Sequence, residues 1–396
     1  MKRKEIIILT DFSGLDAYFV ANKDLIRSLS KEFNSISFVN CVNLKSYNRL
    51  EQYQKKIKSK FPKKIKFFNP KNFKDFNNFL FKKKPLIINN IGRGFEFYRL
   101  LYFLKKKNIP QVLLGNVGNI QASTYYWHLP NLKIIIFLFT ILLPRWISTI
   151  LVFLGIFDPI EIRFVSNKKQ YDYYLKQKNR NKLLKLPRYY KKLVLVKGKI
   201  FDNYEKYKDK LEEKFILLLE MQPEYRSMTE VSELKKSSIN VHYKNLNNLL
   251  HKLSKTFKKK VIISIHPEYD LKIAEKRYPN FKVAKLKTKD YILKSFLILF
   301  FDSSAILPAF VMNKKVLTLR SQLFKGIRYN SDLYSDYINL KSVNINNNID
   351  INKKQFIQDL DKRVKSYSNY LKTYSASHLS EPGNKFIIKY LKKKYF

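Results

Sequence analysis

Two strand-like runs in the second half of the chain end in residues that could bind a phosphate-bearing ligand. The run VIISI is followed by His266-Pro267-Glu268, and the run FLILFF is followed by Asp302-Ser303-Ser304 and a helix-like stretch. Ligands of open parallel sheets bind beyond the carboxyl ends of the strands, and the N–H groups at a helix N-terminus suit a phosphate. A turn histidine and an ordinary Asp/Ser helix cap explain each motif alone. The two motifs together, at strand ends of one domain, favour a ligand site.

The glycines of the chain exclude the common nucleotide-binding loops. The sequence contains neither G-x-G-x-x-G nor a Walker loop. Gly92-Arg93-Gly94 and Gly115-Asn116-Val117-Gly118 each follow a predicted strand, where the backbone turns sharply or approaches a ligand. Ordinary strand-end turns are the plainer interpretation of both. As functional positions, Gly92, Arg93, Gly115 and Asn116 are candidates for the acceptor side of a site.

The sequence predicts no metal site and no bound cofactor. The five histidines lack metal-ligand spacing, and Cys41 is the single cysteine. The tripeptide Asp359-Leu360-Asp361 lies on a charged, helix-like stretch and is interpreted as solvated surface. One cysteine also excludes an internal disulfide framework and favours a reducing compartment.

Strand-like and helix-like stretches alternate along the chain, which is typical of doubly wound parallel α/β sheets. The predicted strands are 5–10, 36–40, 65–69, 86–91, 111–117, 160–167 and 191–198, then 215–220, 261–267, 281–286, 296–301 and 315–319. Two such series of similar size predict two Rossmann-like domains whose parallel sheets face a central cleft. We expect an N-terminal acceptor-side domain over residues 1–200, a charged linker over 201–214, a nucleotide-binding domain over 215–350 and helices over 351–396.

An apolar stretch, Leu132 to Phe157, interrupts the strand rhythm of the first domain. Its length suits a transmembrane helix, but an arginine such as Arg145 at the centre of a span costs about 2.5–3.5 kcal/mol. A single crossing would also divide the strands of one sheet between two sides of a membrane. We expect two short helices hinged at Pro144, or a shallow re-entrant hairpin. Trp127 and Trp146 favour docking on a membrane surface, and burial in the core is the alternative.

The composition excludes a disordered chain and makes nucleic acid a poor candidate partner. Hydrophobic residues make up 45% of the chain, and 78 Lys+Arg against 31 Asp+Glu give a net charge of +47. The lysines are scattered, and no RNA-binding motif or zinc finger accompanies them. Their joint abundance with Asn, Ile, Phe and Tyr is what an A/T-rich coding sequence would produce. The charge suits an anionic membrane surface or a phosphate-bearing substrate. The short apolar run near the start is interpreted as a strand and not as a secretion signal, which predicts a cytoplasmic protein.

The succession strand, His-Pro, strand, Asp-Ser-Ser, helix, Asn-Lys-Lys, strand resembles the HP and SS motifs of bacterial GT-B glycosyltransferases. The resemblance covers about Phe215 to Leu319. It extends to sialyltransferases and polysialyltransferases, to Kdo transferases of capsule assembly and, more distantly, to teichoic-acid polymerases that use CDP-glycerol. It implies a GT-B-like fold and a role in surface polysaccharide biosynthesis.

The resemblance also implies roles for particular residues. His266, Pro267, Ser303 and Ser304 would hold the nucleotide and phosphate of a CMP-activated donor, with Glu268 and Asp302 beside them. In that family the general base is an acidic residue of a D/E-D-G motif in the N-terminal domain. This sequence has no such tripeptide; the nearest analogue and its two rivals are Asp11, Asp16 and Glu220.

These observations predict a metal-independent glycosyltransferase, peripheral on the inner face of the cytoplasmic membrane, with a glycan or lipid-linked acceptor. The same strand-end site could serve a sugar-nucleotide epimerase or a glycerophosphate transferase. A non-catalytic scaffold of polysaccharide assembly would keep the fold without turnover. A basic RNA-binding protein is the remaining alternative.

Overall fold

The computed structural model describes the chain as two compact units. The described residues are 5–10, 15–44, 64–80, 83–91, 95–114, 143–183, 190–204, 207, 212–220, 236–266, 269–285, 287–301, 303–321, 338–347 and 350–396. The first unit takes the described residues up to Lys199 together with Ala376–Phe396, and the second takes those within Ile200–Ser375. The chain therefore returns to its first unit after it has completed the second.

The first unit contains a seven-stranded parallel sheet in the order β3-β2-β1-β4-β5-β6-β7. Its strands are β1 Glu5–Thr10, β2 Ile36–Asn40, β3 Ile65–Phe68, β4 Pro85–Asn89, β5 Gln111–Leu114, β6 Ile160–Val165 and β7 Tyr190–Leu195. The strand order reverses between β1 and β4. The run EIIILT forms a central strand because its apolar residues are buried on both faces of the sheet.

Helices cover both faces of this first sheet. They are α1 Leu15–Glu32, α2 Phe73–Leu80, α3 Tyr98–Lys106, α4 Leu143–Phe153, α5 Lys168–Leu183 and, after the second unit, α13 Gly383–Tyr395. Alternate residues of β1 serve different helices, as the strand period requires. Ile6 and Ile8 lie in one core cluster with residues of α1 and α13, and Ile7 and Leu9 lie in another with residues of α2 and α3.

Helix α13 closes the first unit by packing on α1. Its Ile387, Ile388 and Leu391 share a core cluster with residues of α1. The Lys392 Nζ is 2.6 Å from a carboxylate oxygen of Glu32. At the start of α13, a Cβ on Gly383 would lie 2.0 Å from the backbone oxygen of Lys197. Only glycine fits that close approach of two backbones.

The second unit contains a six-stranded parallel sheet in the order β10-β9-β8-β11-β12-β13. Its strands are β8 Phe215–Leu219, β9 Lys260–Ile265, β10 Lys282–Lys285, β11 Ser295–Phe300, β12 Lys315–Arg320 and β13 Lys341–Asn344. The strand order reverses between β8 and β11, which are hydrogen-bonded neighbours with Leu219 opposite Phe300.

Helices also flank the second sheet. They are α6 Lys199–Tyr204, α7 Lys236–Phe257, α8 Leu271–Arg277, α9 Thr288–Lys294, α10 Leu307–Val311, α11 Lys353–Val364 and α12 Tyr367–Ser375. The leucines of α7 at helical spacing (Leu246, Leu249, Leu250 and Leu253) are buried in one cluster with Ile216 and Leu218 of β8. Helix α7 therefore lies across the strand that begins the second sheet.

The predicted α/β class with two parallel sheets is confirmed, and each predicted strand is present. The short strand β13 and the helices α2, α5, α6 and α8 were not predicted from the sequence. The helices predicted over 351–396 are present as α11, α12 and α13, with a break after Val364 between α11 and α12. The Ser366 hydroxyl donates there to the backbone oxygens of Arg363 and Ile338, which joins the turn to the segment before β13.

Within the apolar stretch 132–157, the described part forms α4, and Pro144 lies in the first turn of that helix, a position that tolerates proline. Residues 132–142 and Trp127 lie outside the described residues. Among the residues that the structure describes, no helix is both long and apolar enough to cross a bilayer.

Candidate functional site

The reversal of strand order between β8 and β11 places several polar residues of the second unit at one edge of its sheet. Glu220 follows β8, His266 follows β9 on one side, and Phe301 and Ser303 follow β11 on the other. Neighbouring strands lie about 4.8 Å apart, so the ends of β9 and β11 are separated by about 10 Å. In doubly wound sheets this reversal opens the crevice in which ligands bind.

His266 is exposed at the end of β9, and its backbone oxygen is hydrogen-bonded to Tyr269. The Tyr269 N–H donates to the His266 oxygen at 3.0 Å, and the two rings lie 5.2 Å apart. Lys285 Nζ donates to the Tyr269 oxygen at 2.7 Å. The Asp270 carboxylate then caps α8 by accepting from the Lys272 N–H at 2.8 Å. His266 is thus exposed at the edge of the sheet; Pro267 and Glu268 lie outside the described residues.

Ser303 is half-buried and begins the helical turn after β11. Its Oγ accepts from the Ala305 N–H at 3.2 Å, and its backbone oxygen accepts from the Ile306 N–H at 3.2 Å. Ser303 therefore caps this helical turn, as the simpler interpretation of the sequence predicted. A serine hydroxyl that accepts one hydrogen bond can still donate its own proton to an anion. Ser304 lies in the same turn, its side chain is outside the described residues, and so is Asp302.

A buried polar cluster lies beneath this edge, and of its members only Glu220 was a candidate from the sequence. His242 of α7 is 1% exposed, and its Nδ1 lies 3.4 Å from Ser321 Oγ, which follows β12. Its ring lies 5.3 Å from the rings of both Tyr243 and Phe301. Burial lowers the pKa of His242 to about 3, so the imidazole is neutral at pH 7. The helical period of α7 made this histidine indistinguishable from core residues in the sequence.

Glu220 belongs to the same buried cluster. It is 6% exposed, and the Tyr243 hydroxyl donates to its Oε1 at 3.5 Å. Its backbone N–H donates to the Ser264 oxygen at 2.9 Å, which continues the pairing of β8 with β9. The carboxylate of Glu220 therefore lies under the reversal point, between the strand ends that carry His266 and Ser303.

Arg320 adds positive charge at the same edge. It is half-buried and ends β12, in register with Asn344 at the end of β13. The Ile345 N–H donates to its backbone oxygen at 2.9 Å, which fixes the backbone there. The sequence analysis did not single out Arg320 among so many basic residues.

The corresponding edge of the first sheet is described only in part. Thr10 ends β1 and is fully buried, and Asn89 ends β4 with 4% exposure. The Asn89 side chain donates to Gln111 Oε1 at 2.7 Å and accepts from the Ile91 N–H at 3.1 Å. The Asn89 side chain thus joins the end of β4 to the start of β5 and to the backbone that follows β4.

The remaining candidates of the sequence analysis belong to the first unit. Asp16 lies in the first turn of α1, with its side chain outside the described residues. Those that lie outside the described residues altogether are Asp11, Gly92, Arg93, Gly115 and Asn116. In the part of the chain that the structure describes, no group of three His, Cys, Asp or Glu side chains could hold a metal ion.

Comparisons with known proteins identify the fold. No family model matches the chain, and no curated protein matches it. UDP-GlcNAc 2-epimerase from Methanocaldococcus jannaschii is 15% identical with a TM-score of 0.52, over 98% of this chain and 99% of that one. Phytolacca americana UGT2, complexed with UDP-2fluoro-glucose and pterostilbene, is 10% identical with a TM-score of 0.52, over 99% of each chain. The wall teichoic acid polymerase TagF is 12% identical with a TM-score of 0.54, over 100% of this chain and 90% of that one.

The fold is GT-B-like. At these identities the likeness concerns the fold alone, with a parallel α/β sheet in each unit. What the chain does must therefore be argued from its own residues.

Proposed function

We propose that this chain is a glycosyltransferase that moves a sugar from a nucleotide donor to a glycan or lipid-linked acceptor. One observation carries the proposal: an exposed histidine and a helix-capping serine lie on either side of the strand-order reversal in the second sheet. His266 can donate to a phosphate or ribose oxygen, and the Ser303 hydroxyl can donate to a phosphate.

The resemblance of the HP and SS motifs supports a CMP-linked donor and a role in surface polysaccharide biosynthesis. It also favours an acceptor presented at the inner face of the cytoplasmic membrane, with the enzyme peripheral to it. Pro267, Glu268, Asp302 and Ser304 complete the proposed donor site by their places in the sequence.

The proposed reaction needs a base, an acceptor hydroxyl and a stabilised leaving group. A carboxylate takes the proton of the acceptor hydroxyl, whose oxygen then forms a bond to the anomeric carbon. The bond between that carbon and the donor phosphate breaks, and the nucleotide leaves with the electron pair. Donors at Ser303 and His266 stabilise the negative charge that develops on the phosphate. Asp11, which follows β1, is the proposed base, with Asp16 and Glu220 as rivals.

Binding of nucleotides tests the donor site directly. A thermal-shift panel with CMP, CDP, UDP and GDP and their sugars should show stabilisation by cytidine nucleotides. His266→Ala and Ser303→Ala should each weaken binding by at least about tenfold, the effect of losing one charge-assisted hydrogen bond. The exposed His378 of the first unit gives a matched control, because His378→Ala should bind as the wild type does.

Undiminished nucleotide binding by His266→Ala would overturn the assignment of the donor site. The sugar transferred is then tested by turnover with CMP-linked donors, with UDP-GlcNAc and CDP-glycerol in parallel. Turnover of UDP-GlcNAc without an acceptor would identify an epimerase, and turnover of CDP-glycerol a glycerophosphate transferase. Nucleotide binding without turnover of any donor would favour a scaffold.

A further inference from the structure

Helix α4 of the first unit directs its apolar side chains toward solvent. Leu143, Trp146, Ile150, Phe153 and Leu154 are 39%, 72%, 52%, 63% and 60% exposed. At about 100° per residue, these positions fall within one face of the helix about 100° wide. We call these five residues the α4 patch.

The opposite face of α4 is buried and includes a polar residue. Ser148 is fully buried, and Val152, at 9% exposure, packs in a cluster with Leu101 of α3 and with Phe157. The ring centroids of Phe157 and Tyr98 lie 5.2 Å apart. A surface helix of a globular protein normally turns its polar residues outward. Helix α4 instead has a stripe of large apolar side chains on its exposed face.

The end of α4 is a well-formed helix terminus, which fixes the orientation of the α4 patch. Gly155 adopts a φ of 69°, the Gly155 N–H donates to the Val152 oxygen at 3.1 Å, and the Ile156 N–H donates to the Leu151 oxygen at 2.8 Å. This pair of hydrogen bonds is a Schellman motif, in which glycine takes the left-handed position. The following Asp158 is held by Lys105 Nζ of α3 at 2.9 Å.

The charges beside the α4 patch are positive or paired. Helix α4 contains no acidic residue, and the nearby Asp158 is paired with Lys105. Lys106 and Lys107, at the end of α3, are exposed. Tyr102, 53% exposed, follows Leu101 in α3, and Leu101 packs in a cluster with Val152 of α4. An apolar stripe with exposed lysines on the helix packed against it complements a surface that is apolar inside and negative outside.

We propose that the α4 patch docks this protein on an anionic phospholipid bilayer, with α4 lying in the plane of the interface. A helix of 11 residues is about 16 Å long, too short to span a hydrocarbon core of about 30 Å but suited to lying within the headgroup boundary. Exposed Trp146 belongs at such a boundary because its ring is apolar and its N–H is polar. This proposal rests on the proposed function only in that a lipid-linked acceptor would explain why the protein docks on a membrane. Lipid binding concerns the first unit and donor binding the second, so the two are measured separately and can fail separately.

Fluorescence of Trp146 tests the docking surface. The chain has two tryptophans, so Trp127→Phe leaves Trp146 as the single one. Vesicles of phosphatidylcholine with about a third phosphatidylglycerol should shift its emission to shorter wavelength, and brominated lipid should quench it. Phosphatidylcholine alone should give a weaker shift, because it lacks negative charge. An emission spectrum unchanged by anionic vesicles would overturn the proposal.

Vesicle co-sedimentation tests the same surface without a fluorescence readout and without the Trp127→Phe change. The double variant Trp146→Glu/Phe153→Glu should lose at least about tenfold in vesicle affinity, because two exposed apolar side chains become anionic. Ile273→Glu is a matched control: Ile273, 36% exposed on α8, lies in the second unit and should bind vesicles as the wild type does. Equal binding by the double variant and the control would contradict the proposal. Light scattering tests the alternative that a second copy of the chain covers the α4 patch. If the wild type is a dimer, and the double variant is a monomer that still binds vesicles as the wild type does, the α4 patch is a dimer interface.

Discussion

The two sheets share one principle of strand order but use their carboxyl edges differently. Each order reverses beside the first strand of its unit, between β1 and β4 in one and between β8 and β11 in the other. At the second reversal, His266 is exposed and the Ser303 hydroxyl retains a proton to donate. At the first, Thr10 and Asn89 are buried, and Asn89 is hydrogen-bonded to its neighbours.

The difference shows that a reversal of strand order provides a place for a ligand but not the groups that bind one. A polar group can recognise a ligand only if part of its hydrogen-bonding capacity is left over. At the second edge the Ser303 hydroxyl is such a group, because it accepts one hydrogen bond and can still donate its own proton. In the first, the Asn89 side chain is used to stabilise its own strand end, and the proposed base, Asp11, follows β1 in the chain.

The strongest test of this contrast is Asp11→Asn. If the first unit supplies the base, turnover should fall about 10²–10⁴-fold, since an amide cannot take the acceptor proton. Donor binding, a property of the second edge, should stay unchanged. Turnover with saturating donor and a nucleotide thermal shift measure the two separately. Asp16→Asn is the matched control, and a larger loss in that variant or in Glu220→Gln would move the base to the other residue.

The next largest effect is expected from Gly383→Ala, which should destabilise the first unit and leave nucleotide binding by the second unit unchanged. The added Cβ would meet the Lys197 oxygen at 2.0 Å, so α13 must shift, and the free energy of unfolding should fall by about 3 kcal/mol. Chemical denaturation measures this loss. The thermal shift caused by nucleotide in the second unit should remain.

Lys389→Ala serves as the control for Gly383→Ala, because Lys389 is exposed on the same helix and should change stability little. If Gly383→Ala were as stable as this control, it would show that the backbones of Gly383 and Lys197 do not approach each other so closely.

The buried cluster of the second edge predicts a dependence of stability on pH. The pKa of His242 is about 3 in the folded chain against an ordinary value of 6.5, so below pH 6.5 the unfolded chain takes up a proton that the folded chain does not. Stability should therefore fall as the pH decreases from 6.5, by about 2 kcal/mol at pH 5. His242→Gln should remove this part of the slope in denaturation curves recorded from pH 7 to pH 5. An identical slope in the variant would show that His242 does not cause it.

The smallest effect is expected from Asn89→Ala in the first edge. The change removes the hydrogen bonds to Gln111 and to the Ile91 N–H, so the unfolding free energy should fall by about 1–2 kcal/mol. Donor affinity should not change. Asn34→Ala, at an exposed position, controls for the loss of an amide. A loss of donor affinity in Asn89→Ala without a loss of stability would contradict the contrast between the two edges.

Most of the strands could be predicted because a strand buried on both faces is a continuous apolar run, as in EIIILT and FLILFF. Strand β13 could not, since KSVN contributes only Val343 to the core and owes its conformation to pairing with β12. Helix α8 carried a usable signal in Asp270, whose carboxylate caps it, but it is only seven residues long.

The candidate site was predictable in its parts and not in its arrangement. The strand-end positions of His266 and Ser303 follow from local sequence. Their placement on either side of β8 depends on the strand order, which is set by long-range pairing. His242 joins Ser321 because α7 crosses the sheet, and a helical period cannot distinguish a buried histidine beside a site from one in a plain core.

Helix α13 belongs to the first unit, yet it is the last helix of this sequence to be synthesised. Its side chains complete a core cluster of the first unit, yet it is translated only after the whole of Ile200–Ser375. During synthesis the second unit can therefore finish folding while α1 still lacks its partner helix. Domains usually fold in the order in which they leave the ribosome. In this chain the unit that begins first is completed last, and until α13 arrives the apolar face of α1 that it covers is open to chaperones.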